Sequence, residues 1–203
     1  RLIGFAGIDP TRGRCVQEIK RLQEEGFSGL VVSPACQNFH PCDTRAMRIY
    51  EVAEALKLPV YFLQADRFPT QARLEYANPV YLDEIALSFS QLRMVISNVG
   101  FPYSETTIAL LAKQEHIYAT VAGLSNKAWQ LYRVLTLAYE YGVMDRLLFG
   151  SGFPVQDCKS AVESLYHLNN LARDSVLPVV PREHIRGIIE RDSLKLLGLK
   201  RPG

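Results

Sequence analysis

Six short apolar runs recur along the chain, at residues 2–8, 29–33, 60–63, 94–98, 117–122 and 147–151. They are continuous and rich in Val, Ile, Leu and Phe, and they do not alternate apolar with polar. A strand that reads this way is covered on both faces, as strands of a parallel sheet are. Between the runs, apolar positions recur at helical spacing, with start and stop signals at their ends. Asp9-Pro10-Thr11 is expected to open a helix carrying Cys15, Val16, Ile19 and Leu22, stopped at Gly26. Asp43-Thr44 precedes a second, with Met47, Tyr50, Val52, Ala53 and Leu56. Asn78-Pro79 sets a capping residue before a proline at the first helical position, ahead of Ile85 and Leu87. Ser104 is expected to cap a helix containing Ile108 and Leu111. Ser125-Asn126 is expected to open a longer one through Trp129, Tyr132, Leu135 and Tyr139, where aromatic residues at helical spacing read as packing residues. Helical stretches at residues 157–173 and 182–197 complete the set.

Repeated β-then-α units require parallel strands joined by right-handed crossovers. No composition shift or low-complexity segment interrupts them, so a single α/β domain over residues 1–203 is expected. Two architectures satisfy the pattern, a closed eight-stranded barrel and an open doubly wound sheet. Six units are two short of a barrel, which typically takes ~250 residues. The chain opens on Arg1-Leu2-Ile3-Gly4 with neither an initiator Met nor a signal-peptide pattern, as though its fold began upstream. A nucleotide-binding open sheet usually carries G-x-G-x-x-G or a P-loop after its first strand, and Gly4-Phe5-Ala6-Gly7-Ile8-Asp9 is neither. The pattern alone leaves both architectures open.

Composition narrows the partners. The 203 residues hold 23 basic and 21 acidic side chains, for a net charge of +2. No basic stripe is interleaved with aromatics, so no nucleic-acid partner is expected. No apolar run reaches membrane-spanning length. Cys15, Cys36, Cys42 and Cys158 form no CxxC pair and no dense framework, which reads as free thiols in a cytoplasmic protein.

Four local motifs carry a resemblance. They are Gly4-Phe5-Ala6-Gly7-Ile8-Asp9-Pro10 with Glu25-Gly26-Phe27, and Tyr50-Glu51-Val52-Ala53-Glu54-Ala55-Leu56 with Leu58-Pro59-Val60. The third is residues 95–100 with Pro102 and Glu105. The fourth is Asp145-Arg146-Leu147-Leu148-Phe149-Gly150-Ser151-Gly152-Phe153-Pro154 with Leu194-Lys195-Leu196-Leu197-Gly198-Leu199. In order and spacing, across essentially the whole chain, the set resembles the amidohydrolase family that includes pyrone-dicarboxylate hydrolases and aminocarboxymuconate-semialdehyde decarboxylases. The resemblance implies a TIM barrel in which the six runs are the third to eighth strands. The first two, where that family keeps a His-x-His metal pair, are then missing or upstream of residue 1. It also implies hydrolysis or decarboxylation at a divalent metal on the C-terminal face of the barrel.

The family's ligand positions, carried over one at a time, have changed here. The His that closes the family's strand after Leu58-Pro59-Val60 is replaced by Leu63 or Gln64. The next His position is Asn98, in Ser97-Asn98-Val99-Gly100, and the Asp position is Gly152. An amide is a weak ligand for a borderline metal and glycine offers none. A His-x-His pair alone would supply two ligands where a catalytic zinc takes three. The resemblance therefore implies a degenerate member with no metal and no other cofactor. Its strand ends would leave a neutral pocket of Gln64, Ser97, Asn98, Ser125, Ser151 and Gly152, holding water or a small polar ligand.

Two other readings compete. One is a hydrolase or decarboxylase of a small carboxylate or lactone that works without the usual metal set. His40 lies in the loop 34–43, on the face where barrel enzymes place their sites. Cys36 and Cys42 are close in sequence, and an imidazole can generate a thiolate nucleophile. Asp66 follows the next strand, although Asp66-Arg67 also reads as a solvated ion pair. The other reading is an open α/β small-molecule binding module. His116, His167 and His184 fall at a strand start or within helices and read as structural. An open sheet flank would invite another chain, so a homo-oligomer contact is expected there.

Overall fold

Alternation within the short strands divides the molecule into an outer and an inner layer. In the computed structural model, which describes residues 2–65 and 67–201, each apolar run contributes one strand. These are β1 (Phe5–Gly7), β2 (Gly29–Val32), β3 (Val60–Phe62), β4 (Met94–Ile96), β5 (Ile117–Thr120) and β6 (Leu147–Leu148). All pair in parallel and in chain order, β1 to β6. A doubly wound sheet reverses its order at a switch point. This one never does. Sequential order with helices between is how a (β/α)-barrel wall is built, and the open-module reading is corrected on that ground.

The helices are α1 (Cys15–Glu24), α2 (Pro34–Gln37), α3 (Thr44–Ala55), α4 (Tyr81–Ser88), α5 (Ser104–Lys113), α6 (Ala128–Glu140), α7 (Cys158–Tyr166), α8 (Arg182–Glu190) and α9 (Ser193–Leu196). The register aligns Leu30, Val60, Met94 and Ile117 in one row. With Val32, Phe62, Ile96 and Leu147 they pack against Ile19, Ile49, Ile85, Ile108, Leu135 and Ile188 of the helices, all essentially sealed from solvent. Burying each such side chain contributes ~1.5–3 kcal/mol before entropy is charged against it.

The opposite parity gives the inner layer. Val95, Tyr118 and Leu148 are buried there against Leu197, with Tyr61, Leu196 and Leu199 packed alongside. The segment around α9 thus covers the inner face of β4–β6. Over β1–β3 the same face is more open, with Gly7 exposed and Val31 and Tyr61 half-buried.

Several helix limits differ from expectation for local reasons. The first helix starts at Cys15 because the Asp9 carboxylate accepts from the Thr11 amide and hydroxyl, at 2.9 and 2.7 Å, and closes a turn of its own. Ser104 is the first residue of α5 and does not cap it. The stretch 182–197 is two helices. Arg191 leaves the helical region, its guanidinium reaching the carbonyls of Met144 and Leu147, and Asp192 starts α9 by accepting from the Lys195 amide at 3.1 Å. Of the aromatics on α6 only Tyr132 is buried, whereas Trp129 and Tyr139 are exposed, as is Tyr141 just beyond. The buried stripe runs through Leu131, Leu135 and Ala138, and Trp129 stacks on Tyr132 from outside it.

One core residue carries a cost. Tyr50 on α3 is fully buried between Phe62 and Phe89, at centroid distances of 5.7 and 6.5 Å, and its hydroxyl has no partner. Burial pushes its phenol pKa up, with Cys42 adding to the effect, so the group stays neutral. An unpaired buried hydroxyl costs ~1–3 kcal/mol. Tyr50→Phe should therefore raise the melting temperature by about 3 °C. A lower value in a thermal melt would reveal a partner for the hydroxyl.

Candidate functional site

Parallel strands in chain order bring their C-terminal ends to one rim, where Ser33, Gln64, Asn98, Gly123 and Ser151 follow their strands. The rim is stitched by hydrogen bonds between successive connections. The Ser33 amide donates to Gln37 Oε1 at 2.7 Å, Gln37 Nε2 donates to the Ile8 carbonyl at 2.9 Å, and the Ser33 hydroxyl donates to the Leu63 carbonyl at 2.9 Å.

Gln64, Ser97 and Asn98 are buried and joined to one another. The Gln64 amide donates to Ser97 Oγ at 2.6 Å, and Asn98 Nδ2 donates to the Gln64 carbonyl at 3.1 Å. The Gln64 side chain points its Nε2 at the Ala77 carbonyl, 2.9 Å away. Beneath them, the Tyr61 and Thr120 hydroxyls are 3.1 Å apart. Burial pushes the Tyr61 phenol pKa up, and its bond to Thr120 pulls the other way by less. The result is two neutral sets of donors and acceptors, Thr120 with Tyr61 and Ser97 with Gln64 and Asn98.

Backbone conformation holds this arrangement in place. Asn98, Val99 and Gly100 are all left-handed, with φ of 53°, 42° and 67°. That conformation costs a β-branched residue ~1–2 kcal/mol. Complete burial of the Val99 side chain offsets the strain. The next strand end is Gly123, where a Cβ would lie 2.9 Å from Asn98 Oδ1. At Gly152 a Cβ would lie 3.3 Å from the Gly123 amide nitrogen. Asn98, Gly123 and Gly152 are therefore immediate neighbours, the last two without side chains.

The remaining candidates are placed elsewhere. Ser151 Oγ accepts from the Phe153 amide at 3.3 Å, as a turn residue does. Ser125 is buried with an unpartnered hydroxyl, and it lines a cleft of about 420 Å³ between α6 and α7 with Leu131, Glu163 and His167. No hydrogen bond joins either residue to the Gln64–Asn98 group among the described residues. His40 packs edge-on against Tyr81 and Tyr76, at 4.4 and 5.5 Å, and its Nδ1 accepts from the Cys42 amide at 3.1 Å. The Cys42 thiol points the other way, to the Tyr81 carbonyl at 3.4 Å. Burial, reinforced by Glu84, pushes its pKa up to about 12, so it stays protonated. Cys36 is exposed on α2. Asp66 lies outside the described residues.

Tyr61 and Thr120 escaped the sequence reading because their strands look uniformly apolar. Their signal was parity. Tyr61 sits between outward-facing Val60 and Phe62, and Thr120 shares the face of Tyr118. In charge, the assembled group is neutral. Among the described residues no three His, Cys, Asp or Glu side chains come together. The fit to a divalent metal is accordingly poor, because the strand-end donors are amides already committed to main-chain carbonyls and one position has no side chain.

Comparisons with known proteins place this geometry. A family model described as Amidohydrolase matches residues 1–199. No curated protein matches. Among solved structures, an uncharacterised TIM-barrel protein from Bordetella bronchiseptica superposes with a TM-score of 0.70 at 20% identity, covering 95% of this chain and 65% of its own. A dihydroxybenzoic acid decarboxylase from a Polaromonas species, with bound manganese and 2-nitroresorcinol, gives 0.69 at 16% identity, covering 100% and 70%. A probable 2-pyrone-4,6-dicarboxylic acid hydrolase from Acinetobacter baumannii, with citric acid bound, gives 0.67 at 16% identity, covering 98% and 74%. The chain thus spans about two thirds of the length of the first of these structures.

Proposed function

The chain belongs to the amidohydrolase family, and from that premise we propose that it is a degenerate member, a single barrel domain that has lost the metal centre and binds a small neutral polar molecule at its strand ends. The donor set carries this reading. Gln64 and Asn98 present amides engaged with the Ala77 and Gln64 carbonyls, and Gly152 presents nothing. Neutral hydroxyls and amides recognise hydroxyl, carbonyl or amide groups well. They compensate a cation's lost hydration poorly. Solved structures of similar fold hold manganese with 2-nitroresorcinol, or citric acid, which supports a small-molecule ligand for this chain. The thiol and imidazole at Cys42 and His40 are turned away from one another, which disfavours metal-free nucleophilic catalysis there.

The test is metal retention. The full chain, incubated with equimolar zinc or manganese and desalted, should keep far less than one ion per molecule by elemental analysis. Retention of about one ion per chain that disappears in Asn98→Ala would overturn the proposal.

A further inference from the structure

One buried hydroxyl in the connection from β5 to α6 is left without a bond. Ser125 is 5% exposed, and its Oγ has neither donor nor acceptor among the described residues. A serine at this place would ordinarily cap the helix that follows. Here α6 begins only at Ala128, behind Lys127, and has no side-chain cap. Ser125 instead lines the cleft of about 420 Å³ between α6 and α7, walled by Leu131, Leu168 and Leu171.

The other small polar groups on this cleft are already engaged. Ser160 Oγ donates to Asp157 Oδ2 at 2.6 Å, and Ser164 Oγ donates to the Ser160 carbonyl at 2.8 Å. Asn170 Oδ1 accepts from the Arg173 guanidinium at 3.3 Å. Ser125 is therefore the hydroxyl of this cleft with bonding capacity to spare, and an unpaired buried hydroxyl is costly until something pairs it. Rotation about one staggered bond is enough to turn it toward a ligand. Charge narrows the choice of ligand. No Lys or Arg among the described residues lines the cleft, whereas Glu163 and His167 stand exposed on its lining, with Lys159 reaching Glu163 at 3.9 Å. An anion would meet a carboxylate there and no lysine or arginine to offset its lost hydration.

We propose that this cleft binds a small neutral amphipath, its apolar body along Leu131, Leu168 and Leu171 and its one hydroxyl or carbonyl oxygen paired with Ser125 Oγ. A largely apolar wall with a single well-placed polar group is the usual make-up of a small-molecule site, and the cleft has the volume of one. The apolar wall supplies affinity and the hydroxyl supplies orientation. Ser125 shares no hydrogen bond with the Gln64–Asn98 group, so the site is separate from the strand ends and does not rest on them.

Ligand-detected NMR titration of the full chain with p-cresol, toluene and p-toluate tests the proposal, since these probes share one ring and differ in its polar group. p-Cresol should bind saturably, about fivefold more tightly than toluene, and p-toluate should bind least. Ser125→Ala should erase the preference for p-cresol without weakening toluene. It should also leave the melting temperature no lower, because the hydroxyl it removes has no partner. Leu171→Asn, at a wall position 41% exposed, should weaken p-cresol and toluene together. Absence of p-cresol binding, equal binding of p-toluate, or a preference for p-cresol that survives Ser125→Ala overturns the site. So does a lower melting temperature for Ser125→Ala, which would reveal a partner for the hydroxyl within the protein. Loss of p-cresol binding in Asn98→Ala alone would place the ligand at the strand ends and overturn it as well.

Discussion

Replacing Gly100 by Ala should lower the melting temperature by about 10 °C. Two costs combine at this position. Gly100 has φ of +67°, a conformation any Cβ makes unfavourable by ~1–2 kcal/mol. A Cβ there would also fall within 1.9 Å of Thr107 Oγ1, 3.0 Å of Pro79 Cγ and 3.2 Å of Thr107 Cβ. Turning the Thr107 hydroxyl away sacrifices its bond to the Tyr103 carbonyl and still leaves its Cβ in the way. Overpacking of this kind costs ~1–3 kcal/mol. Gly142 supplies the control, since it has φ of +69° and nothing within 4 Å of an added Cβ. Gly142→Ala should show the backbone cost alone. If thermal melts put the two variants level, the close contact between the β4 end and α5 is not as described.

Restoring an acid to the strand ends should be about half as damaging. Gly152→Asp is expected to cost about 2 kcal/mol, or about 5 °C, and to gain nothing from zinc. The left-handed φ of 76° is a mild penalty for Asp, and its Cβ would press on the Gly123 amide at 3.3 Å. The larger part is electrostatic. The carboxylate would sit beside Gly123 and Asn98, where the amide group is neutral and no cation is within the network to compensate lost hydration. Melts with and without micromolar zinc decide the matter. An undiminished melting temperature without metal that rises with zinc would mean the ligand set is more intact than the amides suggest.

The sheet was readable because burial on both faces leaves a plain mark. Every apolar run became a strand, and Asp43 and Asp157 cap their helices as a short acidic side chain before an apolar stripe suggests. The order of the strands, which separates a barrel wall from a doubly wound sheet, is a long-range property that no local pattern encodes. The site was legible only in part. Gln64, Ser97 and Asn98 meet because they follow neighbouring strands in register. Ser125 sits two residues beyond Gly123 in a turn whose direction depends on left-handed backbone at that glycine, and it ends between α6 and α7 instead. Breaks such as Arg191 were hidden for a similar reason, since the carbonyls that draw its guanidinium away belong to residues more than forty positions earlier.

The cover that the α9 segment places over the inner layer sets an order of events during synthesis. Val95, Tyr118 and Leu148 emerge from a ribosome well before Leu197, which buries them. At ~5–20 residues per second, the interval between Leu148 and Leu197 lasts several seconds. For that time the outer layer can already be packed against its helices while Tyr118 and Leu148 face solvent. The nascent chain thus presents a half-covered apolar sheet to its surroundings or to a chaperone until the α9 segment arrives. A premature stop between α8 and α9 would make that exposure permanent, turning a brief stage of biogenesis into a sticky product.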